Sequence, residues 1–141
     1  MIVVDTTLLV YAVGAQHPLK EPSRRLFAAA AAGLQVTTTA EVIQEFTHVR
    51  ARRRPRADAV RVARGFAALL SPLLVTDEEA LDEGLGIYER EPTIGSFDAV
   101  LAATAIAGDA EAFVSADAAF ASITGLRHVA PASAAFERLL S

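Results

Sequence analysis

Short aliphatic runs alternate with longer stretches of helical periodicity from one end of this chain to the other. Ile2-Val3-Val4 is an unbroken apolar run, the pattern of a strand buried on both faces. Thr6 to Val13 reads as a helix ending at Gly14, with Pro18 in the loop beyond it. Glu21 to Ala32 reads as a helix stopped by Gly33, and Gln35-Val36-Thr37 is β-prone. A helix is predicted over Thr39 to Arg53, broken by Pro55. Another follows over Arg56 to Leu70, with Val60, Ala63, Ala67 and Leu70 on one face. Leu73-Leu74-Val75 reads as a strand, and Asp77 to Arg90 as a helix whose acidic start suits the macrodipole. Phe97 to Ala107 is a helix stopped by Gly108, and Ala112 to Ser115 is a strand. Leu126 to Val129 makes a last strand, and Pro131 to Leu140 a last helix with proline at its start.

This alternation implies a parallel sheet covered by helices, an α/β architecture. No repeat, low-complexity linker or composition shift divides the chain, so residues 1–141 are expected to form one domain. Its 141 residues suffice for one real core but not for two. Gly84 and Gly86 lie inside an acidic helical stretch rather than after a strand, so they read as close-packing positions and not as a phosphate loop.

Composition narrows the chemistry. The chain is 52% hydrophobic, with a mean hydropathy of +0.34, which excludes disorder. It has no cysteine, which removes disulfides, thiolate zinc sites and thiol catalysis together and fits a reducing cytoplasm. The start Met1-Ile2-Val3-Val4-Asp5 carries no basic region and is not read as a signal peptide. No stretch approaches the ~20 apolar residues of a membrane span, so no membrane association is expected.

Four carboxylates stand where such a chain would bring them together. Asp5 closes the first apolar run, and Asp117 follows Ala112-Phe113-Val114. Glu45 lies within the third predicted helix, and Asp98 opens the helix that runs to Ala107. Ligands in open parallel sheets bind beyond the carboxyl ends of the strands. Four converging acids cannot all stay ionised and unpaired in a poorly solvated site, because like charges repel strongly there. A divalent cation resolves the conflict, and all-oxygen ligation without cysteine favours Mg²⁺ or Mn²⁺ over Zn²⁺. Each acid also has an ordinary structural role open to it: a turn residue or N-cap after a strand, a dipole partner in a first turn, a solvated side chain on a helix.

Other residues carry less. His17, His48 and His128 share no metal spacing and read as surface or loop residues; Glu45 and His48 are three apart, most simply as helix neighbours. Thr38-x-x-Glu41 matches a capping box, which would occupy Glu41 at the helix start and leave Glu45 for the site. Ser115 and Thr6 offer hydroxyls near the acids, or simply turn bonds. The net charge of −4 is unevenly spread. Between Arg50 and Arg64 seven arginines face one acid, Asp58, a local charge of +6, while the rest carries −10. That asymmetry suits either a phosphate-contacting patch or a solvated helix end.

Four short motifs then bear a family likeness. Ile2-Val3-Val4-Asp5-Thr6-Thr7-Leu8-Leu9 resembles the opening strand and helix of the PIN-domain ribonucleases. Glu41-Val42-Ile43-Gln44-Glu45-Phe46, Phe97-Asp98-Ala99-Val100-Leu101-Ala102-Ala103 and Val114-Ser115-Ala116-Asp117-Ala118-Ala119-Phe120 resemble their second, third and fourth acidic motifs, in family order. The likeness spans the whole chain, and within the family it resembles the VapC toxins of bacterial toxin–antitoxin pairs. Thr7 departs from the pattern, standing where many members carry Ser or Asn.

The resemblance implies a PIN-like three-layer fold, its central, mostly parallel sheet of four or five strands flanked by helices. It implies that Asp5, Glu45, Asp98 and Asp117 hold one or two Mg²⁺ or Mn²⁺ ions. It further implies hydrolysis of a phosphodiester in structured RNA (transfer or ribosomal) by a metal-activated water, leaving a 5′-phosphate and a 3′-hydroxyl. A homodimer and a VapB-like antitoxin are the implied partners. Two other readings remain: a catalytically inactive PIN-like binding module, and an Asp-dependent phosphatase. The second usually needs another Asp two residues after the first, and position 7 is Thr; retention of all four acids speaks against the former.

Overall fold

The computed structural model describes residues 1–141. Four strands, β1 (Ile2–Val4), β2 (Val36–Thr37), β3 (Ala112–Val114) and β4 (His128–Val129), form one sheet in the order β2-β1-β3-β4. Every pairing is parallel: Ile2 lies opposite Val36 on one side and Ala112 on the other, and Phe113 opposite His128. All six residues of β1 and β3 are inaccessible to solvent, because helices cover both faces of the sheet. The helices are α1 (Thr6–Val13), α2 (Lys20–Ala31), α3 (Ala40–Arg50), α4 (Arg56–Leu69), α5 (Glu78–Arg90), α6 (Ser96–Ala107) and α7 (Ala134–Leu140). A 3₁₀ turn, Ala118–Ser122, follows β3. Phe46, Phe113, Phe120 and Phe136 are fully enclosed, and Phe66 meets both Phe27 and Phe46.

Several expectations change. Leu73-Leu74-Val75 is not a strand. It makes one bridge, Leu74 to Thr39, with the Leu74 N–H donating to the Thr38 carbonyl. Val75 is 81% exposed, so the run has no second face to bury. Helix α3 ends at Arg50, not Arg53: the chain turns through residues 51–54 before Pro55, which cannot accept a helical position behind it without loss. The apolar stripe of α4 is Ala59, Ala63 and Phe66, continued by Leu70, because Phe66 is the residue the core can use, and Val60 is left outside. The last helix starts at Ala134 behind Ser133, whose hydroxyl accepts from the Phe136 N–H; Pro131 is buried ahead of it, and Ala132 turns the chain with a φ of 65°.

The capping box is also absent. Thr39, not Thr38, caps α3, accepting from the Val42 N–H at 3.3 Å, so Glu41 sits one position too early to reach back. The Thr38 hydroxyl instead donates to the Val4 carbonyl at 2.7 Å and ties β2 to the end of β1. Of the two glycines in α5, Gly84 does allow close packing: a Cβ there would fall 2.5 Å from the Val100 Cα on α6. Gly86 meets only the end of the Arg90 side chain. No helix is long and apolar enough to cross a membrane.

Candidate metal centre

Strand order reverses between β1 and β3, the first crossing over to β2 on one side and the chain later returning as β3 on the other. Such a switch point opens a crevice at the carboxyl ends of the two strands. Asp5 leaves β1 there, and Ser115 to Asp117 leave β3 beside it, with the Asp5 N–H donating to the Val114 carbonyl.

Asp5 is 4% exposed and held on both carboxylate oxygens. Its Oδ1 accepts from the Thr7 N–H at 3.1 Å and from the Thr7 hydroxyl, and its Oδ2 accepts from the Ser115 hydroxyl at 2.6 Å. The same two hydroxyls accept in turn: Ser115 from the Asp117 N–H at 2.9 Å, Thr7 from the Ala116 N–H at 3.1 Å. The strand ends are thus stapled through one carboxylate and two hydroxyls. Burial pushes the Asp5 carboxyl above its usual range, against the opposing pull of the bonds from Ser115 and Thr7. Thr7, the departure from the family pattern, keeps the hydroxyl function that Ser would supply. The Thr6 hydroxyl, expected near the acids, is buried without a hydrogen-bond partner.

Asp98 stands in the first turn of α6, half-buried. Its carboxyl is pushed up to about 6, first by burial and then by the charges of Asp5, Glu45 and Asp117. The four predicted acids therefore share one electrostatic neighbourhood. Glu45 is half-buried in the middle of α3, beside the enclosed Phe46 in sequence. Asp117 is exposed and caps the following turn, accepting from the Ala119 N–H at 2.9 Å. Glu41, one turn before Glu45, is exposed and lines a separate cavity of about 430 Å³ with Phe97, Leu81 and Leu85. It is absent from the charges that act on Asp98.

As the side chains stand, no three carboxylates or histidines close on a common point. The network fixes Asp5, and the charges of Asp5, Glu45 and Asp117 all act on Asp98. The donor chemistry fits a hard divalent cation: carboxylate oxygens, two hydroxyls, no thiol, and enough negative charge to hold a proton on Asp98 near pH 6. The histidine that matters was missed at the level of sequence. His128, on β4, is half-buried and places its Nε2 2.9 Å from the Ser115 carbonyl, bracing the loop that carries Asp117. Only strand register brings it there, and no local motif signals it. His17 stacks on Tyr11, and His48 is exposed beside Arg52.

The acids at the switch point of a parallel sheet define a class. The PIN domain model matches residues 2–126, and the chain belongs to that family. Relatives within the family carry the name VapC ribonuclease. It is 50% identical to Ribonuclease VapC7 of Mycobacterium tuberculosis over 142 residues, covering 99% of this chain and 98% of that protein. It is 34% identical to Ribonuclease VapC13 of the same organism, covering 92% of this chain and all of that one. The fold matches VapBC2 from Rickettsia felis, solved bound to a DNA fragment from its promoter, with a TM-score of 0.74 at 19% identity over 92% of this chain and 98% of that one. It also matches Mycobacterium tuberculosis VapC20, a sarcin-ricin loop cleaving toxin, with a TM-score of 0.68 at 19% identity over 90% of this chain and 99% of that one.

Proposed function

We propose that residues 1–141 form a PIN nuclease domain that acts as a metal-dependent endoribonuclease, the toxin of a toxin–antitoxin pair, with Asp5, Glu45, Asp98 and Asp117 as its metal ligands. The observation that carries this reading is the carboxyl of Asp98, raised to about 6 in the field of the other three acids. The names of the two ribonuclease relatives support the same activity.

Asp5, Glu45, Asp98 and Asp117 would hold Mg²⁺ or Mn²⁺, which supplies charge neutralisation at the phosphate and a more acidic water. Thr7 and Ser115 keep Asp5 pointed into the crevice, so its carboxylate needs no reordering when the site fills. Glu45 and Asp98 come from two different helices, α3 and α6, and would face the phosphodiester from two sides. Asp117, the most exposed of the four, orients the attacking water on the solvent side. The phosphatase reading has less support: such enzymes usually need a second aspartate two residues after the first, and Thr7 stands there. A structured RNA incubated with the purified protein should be cut in Mg²⁺ or Mn²⁺, leaving 5′-phosphates, and the cutting should stop in EDTA. RNA bound but left intact with both ions would point to the inactive binding module instead.

A VapB-like antitoxin is the expected protein partner, by likeness to the VapBC2 complex. A second copy of the chain is the other. Leu81, Leu85 and Tyr88 recur at i, i+4 and i+7 on α5 and are 45%, 48% and 51% exposed, with Phe97 of α6 nearby in the shared cavity wall. An apolar helix face of this kind is the usual core of a homodimer. Light scattering at micromolar concentration should give a dimer mass, and Leu81→Glu with Leu85→Glu should give a folded monomer. A monomeric parent protein would rule the dimer out.

A further inference from the structure

The arginine block is not a uniform surface. Arg50 is structural: its Nε donates to Asp58 at 2.8 Å and its NH1 to the Val13 carbonyl at 3.2 Å, so one guanidinium ties the ends of α1 and α3 to α4. Arg61 takes the other Asp58 oxygen at 2.8 Å. The pair holds the Asp58 carboxyl below its usual range. With that aspartate used up, Arg52, Arg53 and Arg54 have no carboxylate partner at all. They stand exposed on consecutive positions of the turn after α3. They also rim a cavity of about 560 Å³ whose wall is Val10, Val13 and Val49.

Position gives this corner its meaning. The turn begins at Ala51, six residues beyond Glu45 at the end of the same helix, roughly 9 Å along the axis at about 1.5 Å per residue. The acidic centre repels a phosphate chain, and the molecule as a whole carries −4, so attraction for RNA has to be local. Unpaired guanidinium groups meet phosphate oxygens in a bidentate way that lysine does not. An apolar wall beside them accommodates an unstacked base without reading its identity.

We propose that the turn bearing Arg52, Arg53 and Arg54, over the cavity between the ends of α1 and α3, holds the RNA backbone a few nucleotides from the acidic centre. This rests on the ribonuclease reading and assigns its substrate-anchoring surface. The anchor is sequence-independent, acts without metal, and leaves the choice of bond to the crevice. An acidic amphipathic peptide is the competing occupant, since it fits the same wall.

The test uses a fluorescent single-stranded RNA oligonucleotide and the whole protein in EDTA, with binding followed from about 50 to 200 mM salt. The variant Arg52→Ala/Arg53→Ala/Arg54→Ala touches no core residue and should melt like the parent. It should bind at least about tenfold more weakly, with the slope of log affinity against log salt reduced by about 2, some 0.7 per lost phosphate contact. The control Arg24→Ala/Arg90→Ala/Arg138→Ala has the same net charge and should keep the parent slope. Equal losses in both variants would assign the effect to overall charge and overturn the proposal. An unchanged slope in a variant that still cuts RNA with Mn²⁺ would overturn it while the ribonuclease reading stands. A parent that neither binds nor cuts RNA would remove both. Arginine-dependent capture of a polyglutamate peptide, with RNA binding indifferent to these residues, would make the corner a protein-docking surface and overturn the proposal as well.

Discussion

Asp98→Asn is expected to reduce metal-dependent RNA cleavage by about a thousandfold while making the metal-free protein more stable at neutral pH. Both effects come from the same charge. In the fold the Asp98 carboxyl sits at about 6, against an ordinary value of 3.8. The native state therefore holds this proton more tightly than the unfolded chain does. The stability it contributes is complete below about pH 4 and is lost as the pH rises through 6. Asp5, whose carboxyl is also raised, works in the same direction. At pH 7.5 the metal-free parent thus carries an ionised Asp98 that three neighbours repel. Asparagine removes both the cost of burying that charge and the repulsion, together worth on the order of 1–2 kcal/mol after allowance for solvent access, or a few degrees in Tm for a chain of this size. Melting curves in EDTA from pH 4 to 8 should show a gentler decline in the variant than in the parent. Added Mn²⁺ should raise the Tm of the parent and leave the variant almost unmoved. A variant that cleaves at the parent rate, or a parent whose Tm ignores Mn²⁺, would remove Asp98 from the metal site.

Glu45→Gln should also abolish cleavage, by about a hundredfold or more, with little change in Tm, whereas Glu41→Gln should retain most activity. Sequence alone left both on one helix face, four residues apart. The distinction now rests on other grounds than the capping box, which the structure lacks. Glu45 is half-buried and acts on Asp98 through its charge; Glu41 is exposed and looks into the cavity beside Phe97 and Leu81. Loss of one carboxylate charge from the centre costs a ligand, while loss of one from the cavity rim costs neither a ligand nor a cap. Parallel cleavage assays in saturating Mn²⁺ separate the two. A dead Glu41 variant beside an active Glu45 variant would reverse the assignment.

Local signals were strong wherever one element could be read by itself. Ile2 to Val4 and Ala112 to Val114 are unbroken apolar runs, and both are central strands. Gly14, Gly33 and Gly108 stand at or near the helix ends they announced. Misreadings arose where the outcome depended on a partner. Leu73 to Val75 has strand composition, but only Thr38 and Thr39 lie alongside to pair with it, through Leu74 alone. Thr38 and Thr39 are equally good caps by residue type, and the first was claimed by the carbonyl of Val4. On α4 two apolar stripes were available, and the aromatic pocket of Phe27 and Phe46 selected the one containing Phe66.

The amino-acid sequence by itself determined the alternation of strands and helices, the four acids at their places in that order, the absence of thiol chemistry and the concentration of arginine after α3. These are properties of residue type and spacing, carried by contacts within a few residues. Only the tertiary structure decided that β1 and β3 lie side by side, and with that pairing came the hydroxyl staple on Asp5, the brace from His128 and the shared field around Asp98. It likewise decided that Arg50 is spent on Asp58 and Val13 while Arg52, Arg53 and Arg54 are left without a carboxylate partner. Repulsion between carboxylates and pairing between ions depend on distances across the fold, and residues more than a hundred positions apart acquire those distances only when the sheet closes.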